Sequence, residues 1–183
     1  MPEENISVVA YLPGRLGQFV DDLRKRLNPR FAAWRAHVTI LPPRPLSATL
    51  EDMLAQTREQ CLLADPFEAR LDSVFTFWPA NGVVCLSFSE GLRRFVELHE
   101  RLHCGCLEGF EPYPYVPHVT LAQELDEAET QAVLEEAARE WARYKEAPSF
   151  RVDSLFLVRQ GADNRWINLA PIPLGTLVKP SRH

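Results

Sequence analysis

Short apolar runs alternate along the chain with longer stretches in which apolar residues recur every three or four positions. The first pattern is typical of buried strands and the second of amphipathic helices. In chain order, the pattern predicts strands at 6–12, 37–41, 66–78, 83–89, 118–121, 150–159 and 166–169, and helices at 14–27, 47–61, 91–106 and 126–144. Each half of the chain is therefore strand–helix–strand–helix–strand, which predicts an α+β fold with antiparallel sheets.

Turn-forming residues set the ends of several of these elements. The three prolines within 42–45 are expected to end the strand that starts at His37, because proline has no N–H to donate to a neighbouring strand. Ser47 is a candidate N-cap for the helix that follows. Residues 79–82 contain Asn-Gly, which accepts positive φ, and predict a hairpin. A second hairpin is expected around 161–164, where it closes the chain.

The strongest signal of function is a tetrapeptide that occurs twice. It reads His37-Val38-Thr39-Ile40 and, 81 positions later, His118-Val119-Thr120-Leu121. The same offset relates Leu71-Asp72-Ser73-Val74-Phe75 to Val152-Asp153-Ser154-Leu155-Phe156. A shared offset in two separate stretches indicates an internal duplication. We therefore expect residues 1–178 to form one bilobal domain around a central cleft. Its pseudo-symmetric halves would be about 1–80 and 81–178, and 179–183 would be a flexible tail.

The duplicated motif suggests acid–base chemistry on a phosphate. Alternate residues of a strand face the same side, so His37 points with Thr39 and His118 with Thr120. If the two strands come together, one imidazole could take a proton from the attacking oxygen while the other protonates the leaving oxygen. The hydroxyls could hold the non-bridging oxygens, and no metal or other cofactor is required. The alternative is that each histidine is a structural residue on a strand face.

The paired motifs also resemble those of a known family. The segments Ala36-His37-Val38-Thr39-Ile40-Leu41 and Pro117-His118-Val119-Thr120-Leu121-Ala122, with the duplicated elements around them, resemble the 2H phosphoesterase superfamily. That superfamily includes the bacterial 2′-5′ RNA ligase-like proteins and cyclic nucleotide phosphodiesterases. The resemblance implies a V-shaped cleft and metal-independent hydrolysis of a 2′,3′-cyclic phosphate or small phosphodiester at a nucleotide or RNA end. It also implies that His37 is the proton donor and His118 the acceptor, an order that the residues themselves do not fix.

Residues around the motifs are candidates for contact with the substrate. RNA ligase-like members commonly carry an arginine where this chain has Gln123, which argues against RNA-end ligation. Arg44 could contact a phosphate instead, or be a solvated surface arginine. Tyr115 could stack on a base or pack in the core. For Phe77 and Trp166, core packing is the better interpretation.

Composition narrows the class of partner. The 183 residues are 46% hydrophobic and 25% charged, as in an ordinary globular domain. The formal net charge of −5 argues against tight binding to a long nucleic acid and leaves a small nucleotide or RNA end as substrate. No apolar run is long enough to span a bilayer, the N-terminal segment is acidic rather than signal-like, and the four cysteines lack a disulfide-like spacing. We expect a cytoplasmic monomer without membrane contact.

A second motif supports a rival function. His99-Glu100-Arg101-Leu102-His103 matches H-E-x-x-H, which on a helix places two imidazoles one turn apart and could bind zinc, with Glu100 as the base of a hydrolase. Further ligand candidates are Cys104, Cys106 and Glu124. The apolar positions of the same segment favour a packing helix with His99 in its buried stripe. A third possibility is a nucleotide-binding module that keeps the cleft without catalysing a reaction.

Overall fold

The computed structural model describes residues 5–31, 33–161 and 166–175, and confirms the α+β architecture. The eight strands of this part are β1 (Asn5–Tyr11), β2 (His37–Pro45), β3 (Phe67–Thr76), β4 (Val84–Glu90), β5 (Val119–Ala122), β6 (Ser149–Val152), β7 (Ser154–Gln160) and β8 (Trp166–Pro173). Its four α-helices are α1 (Gly14–Leu27), α2 (Leu50–Leu62), α3 (Leu92–Leu102) and α4 (Glu127–Trp141). The tail expected at 179–183 and most of the turn expected at 161–164 lie outside the described residues.

The strands form one curled antiparallel sheet in the order β6-β3-β4-β5-β2-β1-β7-β8. At its centre β2 of the first half pairs with β5 of the second, with Val38 opposite Val119. These two valines are 81 positions apart, so the pairing lies on the pseudo-twofold axis of the duplication. The two His-Val-Thr strands are therefore direct neighbours.

The third strand of each half crosses to the other half. β3 pairs along β4, and β7 pairs along β1, so each half lends a strand to its counterpart. The first four residues of β3 pair with β6, with Ala69 opposite Phe150, again 81 positions apart. The repeated Asp-Ser lies where these strands change neighbours: the register shifts across 72–73 in β3, and Asp153 separates β6 from β7. The single strand expected at 150–159 is for this reason two strands.

Two further local expectations were wrong. β2 does not end before Pro42 but continues to Pro45, because register shifts in its pairing with β1 accommodate residues that cannot donate a ladder bond. Ser47 does not cap α2: its hydroxyl donates to the Cys106 carbonyl at 2.6 Å. Thr49 is the N-cap, and its side chain accepts a hydrogen bond from the Asp52 amide at 3.1 Å.

The core lies on one face of the central strands. Val38, Ile40, Val119 and Leu121 are all buried there, and the helices pack around the sheet, α3 against β2 and α1 against β5. Because side chains alternate along a strand, the polar residues between these apolar ones face the opposite side. Among the described residues, no helix has the length and apolarity that a bilayer crossing needs.

Candidate active site

Four polar side chains from the two motifs share one face of the sheet. The register of Val38 opposite Val119 sets His37 beside Thr120 and Thr39 beside His118. All four of these polar residues are half-buried, whereas the two valines are fully buried. The structure thus brings together the two histidines and two threonines singled out in the sequence, on the side of the sheet opposite the core.

Each imidazole is held by a hydrogen bond to a backbone carbonyl, and the two bonds are equivalent. The Nδ1 atom of His37 lies 2.6 Å from the Arg35 carbonyl oxygen, and that of His118 lies 2.7 Å from the Val116 carbonyl oxygen. In each case the carbonyl is two residues before the histidine. Because a carbonyl only accepts, each Nδ1 carries the proton and donates. The Nε2 atom of each neutral ring is then left with a free lone pair for proton transfer.

The surroundings lower the pKa of both imidazoles. Burial is the main cause for each, because it disfavours the charged form. The pKa of His37 falls to about 4, and the positive charges of Arg24 and of a protonated His118 contribute to that shift. Both rings are therefore neutral at pH 7 in the free protein.

The two arms of the cleft differ in character. Beside His37 lies a pocket of about 230 Å³ whose other lining residues include Arg24, Gln123, Gln160, Trp34 and Trp166. Beside His118 lies a more apolar groove of about 550 Å³, whose lining includes Phe77, Phe110, Tyr113, Tyr115 and Val116. Thr39 and Pro43 line both. A phosphate at the histidines would therefore have a polar pocket on one side and an aromatic groove on the other.

Several side chains lie elsewhere than expected. Arg44 does not reach the cleft: it is 4% exposed and forms an ion pair with Glu111 at 2.6 Å. Phe77 is not a core residue; it is half-buried, and its ring meets that of His118 edge-on at 5.1 Å. Trp166 is also half-buried and lines the pocket beside His37. Tyr115 lines the groove, but one face of its ring is stacked on His99 at 4.0 Å and is not open to a base.

Sequence reasoning missed Gln160 and Trp34, and it did not place Gln123 in the cleft. These three residues lie in separate parts of the chain and have no motif in common. They meet only because β7 and the segment before β2 border the same pocket. A prediction of the sheet order would have been needed to find them.

The H-E-x-x-H segment forms part of a hydrogen-bonded cluster. His99, His103 and Glu111 have potential ligand atoms within 4.8 Å of one another, whereas Glu100 is exposed. Each of these atoms already has a partner: Nε2 of His99 lies 3.3 Å from Glu111, Nε2 of His103 lies 2.9 Å from the Gly109 carbonyl oxygen and 3.2 Å from its amide nitrogen, and Glu111 holds Arg44. A cation here would face a buried guanidinium that competes for the same carboxylate. The geometry favours a hydrogen-bonded structural role over a zinc centre.

Comparisons with known proteins find relatives that are described as phosphoesterases. A relative from Bacillus pumilus, named "Putative phosphoesterase", is 32% identical over 128 residues, covering 69% of this chain and 74% of the relative. A relative of the same description from Bacillus licheniformis is 27% identical over 160 residues, covering 87% of this chain and 92% of its own length.

Solved structures show the same fold. LigT from E. coli superposes with a TM-score of 0.65 at 18% identity, covering 96% of this chain and all of LigT. The protein TT0787 of Thermus thermophilus gives a TM-score of 0.60 at 22% identity, covering 93% of this chain and 97% of its own. LigT has also been crystallised with phosphate, 3′-AMP, ATP and NADP+.

The family model described as the 2'-5' RNA ligase superfamily matches residues 12–164 of the chain. The match spans both His-Val-Thr strands and most of both halves of the duplication. The resemblance to 2H phosphoesterases inferred from the two motifs is therefore confirmed. The chain belongs to the 2'-5' RNA ligase superfamily.

Proposed function

We propose that this protein is a metal-independent phosphoesterase that hydrolyses a 2′,3′-cyclic phosphate, or a small phosphodiester, at a nucleotide or RNA end. The observation that carries the proposal is the pairing of the two motif strands at Val38 and Val119. It sets two imidazoles with matched tautomers and two hydroxyls on one exposed face. Such a set can serve both ends of a displacement at phosphorus.

The reaction assigns one role to each side chain. A water oxygen attacks phosphorus while one P–O bond of the cyclic ester breaks, which leaves a phosphomonoester and a free hydroxyl. Nε2 of His118 takes the proton from the water, and Nε2 of His37 gives a proton to the departing oxygen, the order that family membership favours. Thr39 and Thr120 donate hydrogen bonds to the non-bridging oxygens, where negative charge builds up.

The donor must first acquire its proton. Both imidazoles are neutral at pH 7 in the free protein, because burial lowers the pKa of each. An anionic phosphate between the rings favours the charged imidazolium and raises these pKa values on binding. The substrate therefore helps to create the acid that cleaves it.

A nucleotide is the substrate class that suits the cleft. The groove beside His118 is lined by several aromatic side chains, among them Phe77 and the 60% exposed Tyr113. A nucleobase can stack on such rings, a contact worth about 1–3 kcal/mol. The complexes of LigT with 3′-AMP and ATP support the same choice. The net charge of −5 disfavours a long RNA.

The test is a turnover assay with 2′,3′-cyclic mononucleotides, a cyclic-ended oligoribonucleotide and ADP-ribose cyclic phosphate, with EDTA present throughout. We expect hydrolysis by the natural protein and a loss of kcat of at least about 10³-fold in His37→Ala and His118→Ala, because each removes a proton-transfer group. The melting temperature should hardly change, since both rings lie at the surface of the cleft.

His37→Asn and His118→Asn are matched controls for structure. An asparagine side chain can still donate to the carbonyl two residues earlier but cannot carry a proton between substrate atoms. These variants should be as inactive as the alanine variants. Activity retained in any of the four would contradict the mechanism, as would loss of turnover on adding EDTA. Binding of the cyclic nucleotides without turnover would instead identify a nucleotide-binding module.

A further inference from the structure

A buried polar cluster lies beside the cleft, between α3 and the segment 108–117 that leads into His118. Its members are Arg44, His99, Glu111 and Tyr115. The side chains of Arg44, His99 and Glu111 are 4%, 9% and 13% exposed. The Glu111 carboxylate accepts from Arg44 at 2.6 Å and lies 3.3 Å from Nε2 of His99. Charged groups this deeply buried are held in fixed geometry by their partners.

The cluster reaches the backbone of the first motif. The Tyr115 hydroxyl donates to the Thr39 carbonyl at 2.9 Å, and Nδ1 of His99 donates to the Ile40 carbonyl at 2.9 Å. The rings of these two donors stack, with centroids 4.0 Å apart and planes 9° apart. Two successive carbonyls of β2 are thus bound by side chains of the second half.

The sheet explains why these carbonyls need side-chain partners. The register between β1 and β2 shifts between Val8–Leu41 and Val9–Thr39, so Ile40 has no opposite residue. On the other side of β2, β5 begins only at Val119, and Pro117 before it has no N–H. Beyond Val38, side chains rather than ladder bonds join β2 to the second half: Tyr115 and His99 bind the two carbonyls, and Arg44 further along β2 pairs with Glu111.

We propose that Tyr115, backed by His99 and Glu111, is a positioning residue that sets the separation of the two His-Val-Thr strands. Tyr115 stands three residues before His118 and is bonded to Thr39, so one side chain connects the second histidine to the first motif. An in-line displacement needs both imidazoles on opposite sides of one phosphorus atom. A misplacement of about 1 Å is enough to cost about 100-fold in rate. This inference rests on the proposed function.

The decisive variant is Tyr115→Phe, which keeps the ring stacked on His99 and removes only the hydroxyl that binds Thr39. We expect kcat on a 2′,3′-cyclic nucleotide to fall at least about tenfold, because the two imidazoles lose their fixed spacing. KM should change less than about twofold, because the hydroxyl points at the backbone rather than into the groove. Tyr144→Phe is the matched control, since Tyr144 packs against Phe19 and Trp141 and lines neither arm of the cleft. Its kcat should match that of the natural protein.

Glu111→Gln tests whether the Glu111 carboxylate, through His99, holds the Tyr115 ring in place. It keeps the shape of the side chain but removes the charge between Arg44 and His99, and kcat should again fall with KM little changed. If this variant does not fold, Tyr115→Phe alone decides. A kcat for Tyr115→Phe equal to that of the natural protein, or a change confined to KM, would overturn the proposal.

A measurement without substrate separates this inference from the proposed function. The ring signals of His37 and His118 in NMR spectra report the surroundings of both imidazoles, with inorganic phosphate as a probe of the cleft. Tyr115→Phe should shift both sets of signals, and Tyr144→Phe should not. If the natural protein hydrolyses none of the cyclic phosphates, the proposed function fails. The NMR signals still test whether the hydrogen bond from Tyr115 to Thr39 positions the two histidines. Unshifted signals in Tyr115→Phe would refute that positioning.

Discussion

At the scale of single residues, the bond partner of each imidazole decides which nitrogen can act. The carbonyls of Arg35 and Val116 each fix Nδ1 as a donor, and each stands two residues before its histidine. The equivalence extends to burial, since Ala36 and Pro117, which precede the histidines, are both buried. The duplication has therefore preserved the tautomer as well as the residue type. A neutral ring held in this way acts as a base at Nε2 and can act as an acid only after Nε2 is protonated, so its pKa decides which pH suits the reaction.

The lowered pKa values predict an acidic optimum for kcat/KM. The reaction needs one imidazole protonated and the other neutral. Above pH 6.5 both rings are neutral in the free enzyme, because the pKa of each is lowered from that value, so kcat/KM should fall as the pH rises. Lowering the pH protonates His118 as well as His37, whose pKa is about 4, and the neutral imidazole that serves as base is then lost. The maximum should lie between these limits.

A pH profile at constant ionic strength checks this expectation. Arg93→Ala serves as a control, because the Arg93 side chain is 90% exposed on α3 and its removal should leave the profile unchanged. A profile that stays flat between pH 7 and pH 9 would contradict the pKa shifts.

Residue-level detail is also where prediction from sequence reaches its limit. The His-Val-Thr strands carry their polar residues in a local pattern, so four candidate site residues can be named without a structure. The partner of Arg44 is Glu111, 67 positions away, and no local pattern links them. Phe77 and Trp166 are large aromatic residues of the kind that usually pack in a core. Their rings lie beside the cleft because of the path that the curled sheet takes. Distance along the chain hides such contacts.

At the scale of elements, the spacing of apolar residues along the chain predicts where helices and strands exist. The pairing of each strand with its neighbours in the sheet decides where the strand ends. The prolines at 42 and 43 are poor strand residues by local criteria, yet β2 passes through them because β1 pairs with Leu41 before them and Arg44 after them. In the same way, 150–159 is apolar enough for one strand and becomes two, because β6 and β7 have different neighbours. The helices also exist where the sequence predicts them, but α3 ends at Leu102 rather than near 106 and α4 at Trp141 rather than near 144.

The start of α4 gives a prediction for one element. Asp126 accepts from the Glu129 amide at 2.8 Å, and the Glu129 side chain accepts from the Asp126 amide at 3.0 Å, which is a complete capping box. Asp126→Ala should lower the free energy of unfolding by about 1 kcal/mol. Urea denaturation measures this loss, and kcat should not change, because α4 packs on β3 and α1.

Glu127→Ala is the comparison for this cap. Glu127 lies in the first turn of α4 but is not part of the box, so only its favourable interaction with the helix dipole is lost, about 0.3–1 kcal/mol. An Asp126→Ala variant as stable as the natural protein would show that the cap is not needed.

At the scale of the whole molecule, the duplication and the exchange of third strands have opposite consequences. Duplication produces two equivalent halves, each with its own His-Val-Thr strand. The exchange places β3 along β4 and β7 along β1, so neither half keeps its own complete sheet. The 81-residue offset can be read from the sequence. The exchange of third strands cannot be read from the sequence. The same apolar residues are buried whether each third strand stays in its own half or crosses to the other.

The exchange predicts that the described part of the chain unfolds as one unit. A fragment ending near residue 80 would keep β3 without β4, and β1 would lose β7, which leaves unpaired strand edges on apolar strands. We therefore expect one cooperative transition for the full chain, with coincident curves from far-ultraviolet circular dichroism and tryptophan fluorescence. Fragments 1–80 and 81–183 expressed separately should aggregate or remain unfolded, and their co-expression should restore the fold. Two separate transitions, or a soluble and folded half, would mean that each half can supply the missing strand pairing itself.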